Sequence, residues 1–147
     1  VPLMPLFDAM GRATICLGAI GAGAVMKLVV NSLIHGINQT LAEAMTLAEA
    51  AGIASEAAFD VIENSAAAAP MLKYRRPLYL DEAAHDVTFT VALARKDMQV
   101  TSALAERLGT AMPQGRVTLD RLLRAEAEGY GARDMASILQ FMRKDRT

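Results

Sequence analysis

The chain has 147 residues, of which 53% are hydrophobic and 5% aromatic, with no tryptophan. A chain of this length suits one domain that buries a core without disulfides or metals. Its 15 basic and 16 acidic residues give a net charge of −1, which argues against an electrostatic nucleic-acid binder. One cysteine excludes an internal disulfide framework, and with only two histidines a zinc site is not expected.

Neither a membrane span nor a signal peptide is indicated. The apolar stretch 17–34 contains Lys27, Asn31 and several glycines, which is unfavourable for a lipid-facing helix. No basic region precedes an apolar stretch near the first residue, as a secretory signal would require. We therefore expect a cytoplasmic protein. Because the chain starts with Val1 rather than methionine, we interpret it as a fragment or a processed form.

Residues 1–20 differ in pattern from the rest of the chain. A short helical turn closed by Gly11 precedes the apolar run 13–18, which is typical of a buried strand with Cys16 in the core. A single strand without a partner is not stable. We therefore interpret residues 1–20 as the end of a larger sheet-containing domain, followed over 21–147 by an all-helical domain.

A long helix is predicted from the glycines at 18, 21 and 23 to Gly52, a residue typical of a helix end. Its length would be about 42 Å at 1.5 Å per residue, unless Gly36 interrupts it. Such a helix usually forms the centre of a bundle. The apolar residues at helical spacing are Leu28, Val30, Leu33, Ile34, Ile37, Leu41, Ala44, Met45 and Ala48.

Shorter helices are predicted after Gly52. Ser55 suits the N-cap of the first, Pro77 should end the second, Pro113 should stand at a helix start, and Asp134 should cap the last. The predicted ranges are 56–64, 71–76, 89–108, 117–128 and 134–142. About six helices with little strand indicate an all-α fold, a helical bundle around one long central helix.

Lys27 and Asn31 are the first candidates for chemistry. They lie four residues apart, and therefore share one helix face, in an otherwise apolar stretch. A lysine held against apolar neighbours without an acidic partner is disfavoured in its charged form and can exchange a proton near neutral pH. The alternative is that Lys27 extends to solvent and Asn31 only packs.

Other polar residues have weaker signals. Lys96 and Asp97 lie about 100° apart on a helix, so one can face a cleft while the other faces water. They could equally form a solvated charged patch. His35 could line the same face as Asn31 or simply pack along the helix. His85 resembles a surface-loop histidine, and the basic group around Arg75 resembles a solvated helix end.

Several spaced motifs together resemble the C-terminal domain of the β-hydroxyacid dehydrogenase family, which includes 3-hydroxyisobutyrate dehydrogenase and tartronate semialdehyde reductase. The similarity runs in order over about 130 residues. The motifs are Gly21-x-Gly23-x-x-x-Lys27-x-x-x-Asn31, Glu43-Ala44-Met45-x-Leu47-Ala48-Glu49-x-x-Gly52, Phe89-x-x-x-Leu93-x-x-Lys96-Asp97, Pro113 and Gly129-x-Gly131-x-x-Asp134. Val30 stands where many members carry a first asparagine before Asn31.

The resemblance implies roles for five residues. Lys27 matches the catalytic lysine that exchanges a proton with the substrate hydroxyl, and Asn31 matches the amide that positions the substrate. Phe89 matches an aromatic beside the substrate and the nicotinamide, Lys96 a lysine that reaches the cofactor, and Asp97 its neighbour that organises the pocket. The related imine reductases commonly carry another residue at the position of Lys27, so the lysine favours hydroxyacid chemistry.

The family further implies a fold like the C-terminal domain of 6-phosphogluconate dehydrogenase, and subunits that form a homodimer or a higher homo-oligomer. It implies hydride transfer between NAD or NADP and a small 3-hydroxy acid or semialdehyde. The cofactor would be bound mainly by an N-terminal domain absent from this chain, so we expect the chain alone to be inactive. A non-catalytic helical oligomerisation module, a small-ligand-binding bundle and an imine-reductase-like enzyme remain the alternatives.

Overall fold

The computed structural model describes residues 3–144, which form a helical bundle with no strand ladder in that range. Two short 3₁₀ turns, Glu82–Ala84 and Met135–Ser137, and a π-helical turn, Glu126–Tyr130, connect the helices. The α-helices are α1 (Met4–Met10), α2 (Ala22–Ala50), α3 (Ser55–Glu63), α4 (Pro70–Leu80), α5 (Val91–Arg107), α6 (Pro113–Ala125) and α7 (Ile138–Lys144).

The 29-residue helix α2 is the centre of the bundle, as predicted, and it packs against α5 and α7 with further contacts to α3 and α6. It runs through Gly36 without a break. Its core-facing side chains begin only at His35. The first third of α2 extends beyond the core and exposes apolar side chains, namely Val25, Met26, Val29, Val30 and Leu33.

The core beneath α2 is formed by large side chains from several helices. Met45, Phe59, Met98 and Phe141 are each at most 2% exposed. Burying one such side chain stabilises the fold by roughly 1.5–3 kcal/mol. None of the helices within residues 3–144 combines the length and apolarity needed to cross a membrane.

Several helix boundaries differ from the predicted ranges, including the start of α6 at Pro113 rather than 117 and that of α7 at Ile138 rather than 134. Helix α4 continues through Pro77 to Leu80, because Arg75, Leu78 and Tyr79 are all buried against the rest of the bundle. This packing outweighs the missing backbone donor of Pro77. Helix α3 begins at Ser55 rather than after it. The Ser55 hydroxyl does not cap α3 but donates a hydrogen bond to Glu49.

The strand predicted over 13–18 does not form. Helix α1 is present, but the following residues have no pairing partner in the described part of the chain. Ile15 is 77% exposed and Cys16 is exposed, so the prediction of a buried Cys16 is wrong. The physical reason is that a strand acquires its hydrogen bonds and its burial from a neighbouring strand. Residues 1 and 2 of this predicted unit, and 145–147 of the helical one, lie outside the described residues.

Candidate active site

Asp97 links α2 to α5 at the centre of the candidate site. Thr90 caps α5 by accepting a hydrogen bond from the Leu93 backbone N–H at 3.1 Å. One and a half turns into this helix, the Asp97 side chain is only 5% exposed. It accepts a 2.6 Å hydrogen bond from Asn31 Nδ2 and forms a 2.9 Å ion pair with Lys96 Nζ, while Lys96 remains 53% exposed.

The Asp97 carboxylate is ionised at neutral pH. Burial acts to raise its pKa, but the hydrogen bonds from Lys96 and Asn31, with the charges of Lys96 and Lys27, outweigh burial and lower the pKa below its ordinary value. An ionised acceptor fixes the amide orientation of Asn31. The Asn31 nitrogen is therefore committed to Asp97, and its oxygen Oδ1 is left to accept from a ligand.

Lys27 lies one helical turn before Asn31 on α2, and its environment differs from the prediction in two respects. It is exposed rather than held among apolar neighbours. It also has an acidic neighbour, since its charge acts on Asp97. Both differences arise because the first third of α2 extends past the core. Lys27 therefore lies exposed beside the Asn31–Asp97 hydrogen bond, close enough for its charge to act on Asp97.

His35 lies one turn beyond Asn31, buried at 3% exposure, with its ring centre 5.7 Å from that of Phe89. Burial lowers the pKa of His35 to about 4; the charge of Asp97 opposes this effect and that of Arg75 adds to it. The imidazole is therefore neutral at physiological pH. Beside it is a cavity of about 110 Å³, lined by Asn31, Ile34, His35, Tyr74, Arg75, Phe89 and Met135.

We predict that burial of neutral His35 makes the protein less stable in mild acid. An unfolded histidine has a pKa of about 6.5, so below that pH the unfolded state binds a proton that the native state does not. The free energy of unfolding should fall by about 2 kcal/mol from pH 7.5 to 5 on this account. Urea unfolding at the two pH values measures it.

The variant His35→Leu should lack this component of the pH dependence, because leucine does not titrate. The matched control is His85→Leu, since His85 is the other histidine of the chain and is exposed, as predicted. A His35→Leu protein with the same pH dependence as the His85→Leu protein would contradict the assignment.

A buried ion pair between Arg75 and Asp134 lies beside this cavity, which Arg75 lines. Arg75 also donates to Thr88 Oγ1 at 2.8 Å. The Asp134 carboxylate accepts from the backbone N–H groups of Thr88 at 2.9 Å, Phe89 at 3.3 Å and Ala136 at 2.9 Å. These bonds fix the segment that carries Phe89 into α5. The prediction that Arg75 belongs to a solvated helix end is therefore wrong.

A further polar contact lies along α2 beyond His35. The Tyr79 hydroxyl donates to Asn38 Oδ1 at 2.6 Å, and Asn38 Nδ2 donates to the Met135 carbonyl at 3.0 Å. Asn38 and Tyr79 were not predicted as part of the site. The signal that would have found Asn38 is helical periodicity, because polar side chains recur at helical spacing on one face of α2 from Lys27 to Asn38.

A larger apolar groove of about 560 Å³ lies on the opposite face of α2, between Ile37 and Met112. None of its lining residues is charged or is a histidine, and none of the predicted site residues contributes to it. Proton transfer has no group to use there. The predicted site residues Lys27, Asn31 and Asp97 all lie outside this apolar groove.

Comparison with known proteins identifies the family. Residues 21–142 match a family model described as the NAD-binding domain of NADP-dependent 3-hydroxyisobutyrate dehydrogenase. The chain is 27% identical over 143 residues to glyoxylate/succinic semialdehyde reductase 1 from Arabidopsis thaliana, covering 97% of this chain and 49% of that protein. It is 30% identical over 139 residues to 3-sulfolactaldehyde reductase from Escherichia coli, covering 95% and 47%.

Solved structures show the same fold. A 3-hydroxyisobutyrate dehydrogenase from Salmonella typhimurium superposes with a TM-score of 0.74 at 26% identity, covering 82% of this chain and 42% of that one. The Mycobacterium tuberculosis enzyme, solved with L-serine, superposes with a TM-score of 0.84 at 23% identity, covering 97% and 50%. The chain spans about half the length of these proteins. It belongs to the 3-hydroxyisobutyrate dehydrogenase family.

Proposed function

We propose that this chain is the substrate-binding part of an NAD(P)-dependent β-hydroxyacid dehydrogenase that acts on a small 3-hydroxy acid or the corresponding semialdehyde. The observation that carries the proposal is the contact between α2 and α5. There the Asn31–Asp97 hydrogen bond of 2.6 Å lies close enough to exposed Lys27 for the lysine charge to act on Asp97. A movable proton, a fixed amide and an open face are what a hydride-transfer site needs from its substrate side.

Lys27 moves the proton in this mechanism. In the direction of reduction, the Lys27 ammonium donates a proton to the carbonyl oxygen of the substrate as hydride reaches the carbonyl carbon. In the direction of oxidation, neutral Lys27 Nζ accepts the hydroxyl proton as hydride leaves. Asn31 orients the substrate through Oδ1. Asp97 acts through Asn31 and Lys96 and is a positioning residue.

The nicotinamide, when bound, supplies or accepts the hydride. The residues of this chain fit one edge of such a dinucleotide: Lys96 presents a half-exposed ammonium at the cleft, suited to an anionic group, and Phe89 presents a partly exposed ring. Their proposed roles are to bind and orient the cofactor, with Phe89 also touching the substrate. Most of the cofactor would be bound by an N-terminal domain that precedes this part of the chain in the full-length protein.

The first test compares this chain with the full-length protein. The chain of 147 residues alone should show no turnover, because one wall of the cleft and most of the cofactor site are contributed from outside it. The full-length protein should oxidise NADH or NADPH when a short semialdehyde is supplied. Steady-state absorbance at the nicotinamide band measures both. Appreciable turnover by the chain alone would contradict the proposal that most of the cofactor site lies outside it.

A non-catalytic helical module is the second candidate, and one observation favours it. The exposed apolar face of the first third of α2 suits association with another subunit or domain. Association as a homodimer is compatible with both candidates and forms part of the proposal. The Lys27 variant argued in the Discussion separates them.

A further inference from the structure

Two buried polar side chains beside the cleft have no partner for some of their hydrogen-bonding atoms. Both ring nitrogens of His35 and the Nε of Arg75 are buried without a hydrogen bond among residues 3–144. Both side chains line the same cavity of about 110 Å³. Each buried polar atom left without a partner costs about 1–3 kcal/mol, so a clustered set of them points to a ligand that satisfies them.

The two side chains offer a defined set of hydrogen-bonding atoms. Each terminal nitrogen of Arg75 has an acceptor, Thr88 or Asp134, whereas the N–H on Nε has none among residues 3–144. A neutral imidazole offers one donor and one acceptor. The cavity is larger than the roughly 30 Å³ that one water molecule occupies in the liquid. It therefore has room for a small group of a substrate.

The charge balance of the cavity favours a neutral group over an anion. The positive charge of Arg75 is already compensated by the buried carboxylate of Asp134. His35 carries no charge at physiological pH. A carboxylate placed here would be a buried charge without a counter-ion of its own, which is costly. A hydroxyl can donate to the unprotonated nitrogen of His35 and accept from Arg75 Nε, so it matches the available atoms.

The position of the cavity relates it to the substrate. His35 lies one turn, about 6 Å along α2, beyond Asn31 and two turns beyond Lys27. The cavity is therefore at the end of the site remote from the proton-transferring group. We propose that His35 and Arg75 bind a hydroxyl group at the remote end of the substrate. The enzyme should then prefer short-chain polyhydroxy acids over methyl-ended or dicarboxylic analogues; this inference rests on the proposed function.

The test compares matched substrates in the full-length protein. Three semialdehydes are used that share the aldehyde and the acid group and differ only at the remote end, which carries a hydroxymethyl, a methyl or a second carboxylate group. The hydroxymethyl substrate should exceed both others in kcat/KM by about 10- to 100-fold, the effect of leaving buried polar atoms unsatisfied. In His35→Leu the ratio of kcat/KM between the hydroxymethyl and the methyl substrate should fall to near unity. His85→Leu, at an exposed position, should keep the wild-type preference.

The results of this test distinguish failure of the hydroxyl subsite from failure of the proposed dehydrogenase function. Turnover of all three wild-type substrates without a preference for the hydroxyl, or a preference for the carboxylate, would overturn the hydroxyl subsite but leave the dehydrogenase proposal intact. Failure to turn over any hydroxyacid or aldehyde would overturn both. His35→Asn, which keeps a donor and an acceptor, should retain part of the preference. If His35→Leu does not fold, the wild-type substrate panel together with His35→Asn still decides whether His35 and Arg75 bind a substrate hydroxyl.

Discussion

Replacing Lys27 with alanine in the full-length protein is expected to lower kcat for semialdehyde reduction by about 10²- to 10⁴-fold, the usual contribution of a positioned proton donor. Stability should change by no more than about 0.5 kcal/mol, because Lys27 is exposed and lies beyond the core. Steady-state kinetics and urea unfolding of the same preparation measure the two effects. A large loss of rate with unchanged stability is the signature of a group that acts on the substrate.

Lys73→Ala is the matched control, since Lys73 is also exposed on a helix but lies outside the cleft lining. It should keep wild-type kcat. Full activity of Lys27→Ala would remove the proton donor from the mechanism and favour the non-catalytic helical module. The comparison therefore decides between the two candidate functions.

The parts of the fold that were predicted from the sequence depend on local signals. Gly52 was expected to end the long helix, and it adopts a positive φ, which glycine adopts without steric cost. The long helix α2 follows from the spacing of its apolar residues. The spacing of Lys27 and Asn31, and the adjacency of Lys96 and Asp97, are likewise local. The structure adds the 2.6 Å contact that joins the two pairs.

The features that were not predicted depend on contacts between distant segments. Arg75 and Asp134 are 59 residues apart, and no local pattern indicates that one will neutralise the other. Asp134 was predicted as a helix cap, and it does accept from the Ala136 N–H, but the cap is only one of its bonds. Lys27 was expected among apolar neighbours because its sequence neighbours are apolar. Burial is decided instead by where α2 leaves the bundle.

The ion pair between Arg75 and Asp134 leads to the largest stability effect that we expect. Asp134→Ala should lower the free energy of unfolding by about 3–5 kcal/mol, because it leaves the buried Arg75 charge without a counter-ion. It also removes the acceptor for the backbone N–H groups of Thr88, Phe89 and Ala136. Urea unfolding at neutral pH measures the loss, with the m-value used to check that unfolding remains two-state.

Asp60→Ala is the control, since Asp60 also pairs with an arginine, Arg76, but is 65% exposed. Its loss should stay below about 1 kcal/mol, as for other surface ion pairs. Equal losses from the two variants would contradict the importance of burial. The double variant Arg75→Met with Asp134→Leu should recover only the part of the stability that depends on charge, because neither charge is then left unpaired but the three backbone N–H groups still lack an acceptor. Recovered stability without the preference for a hydroxyl would separate the structural role of Arg75 from its proposed role in substrate binding.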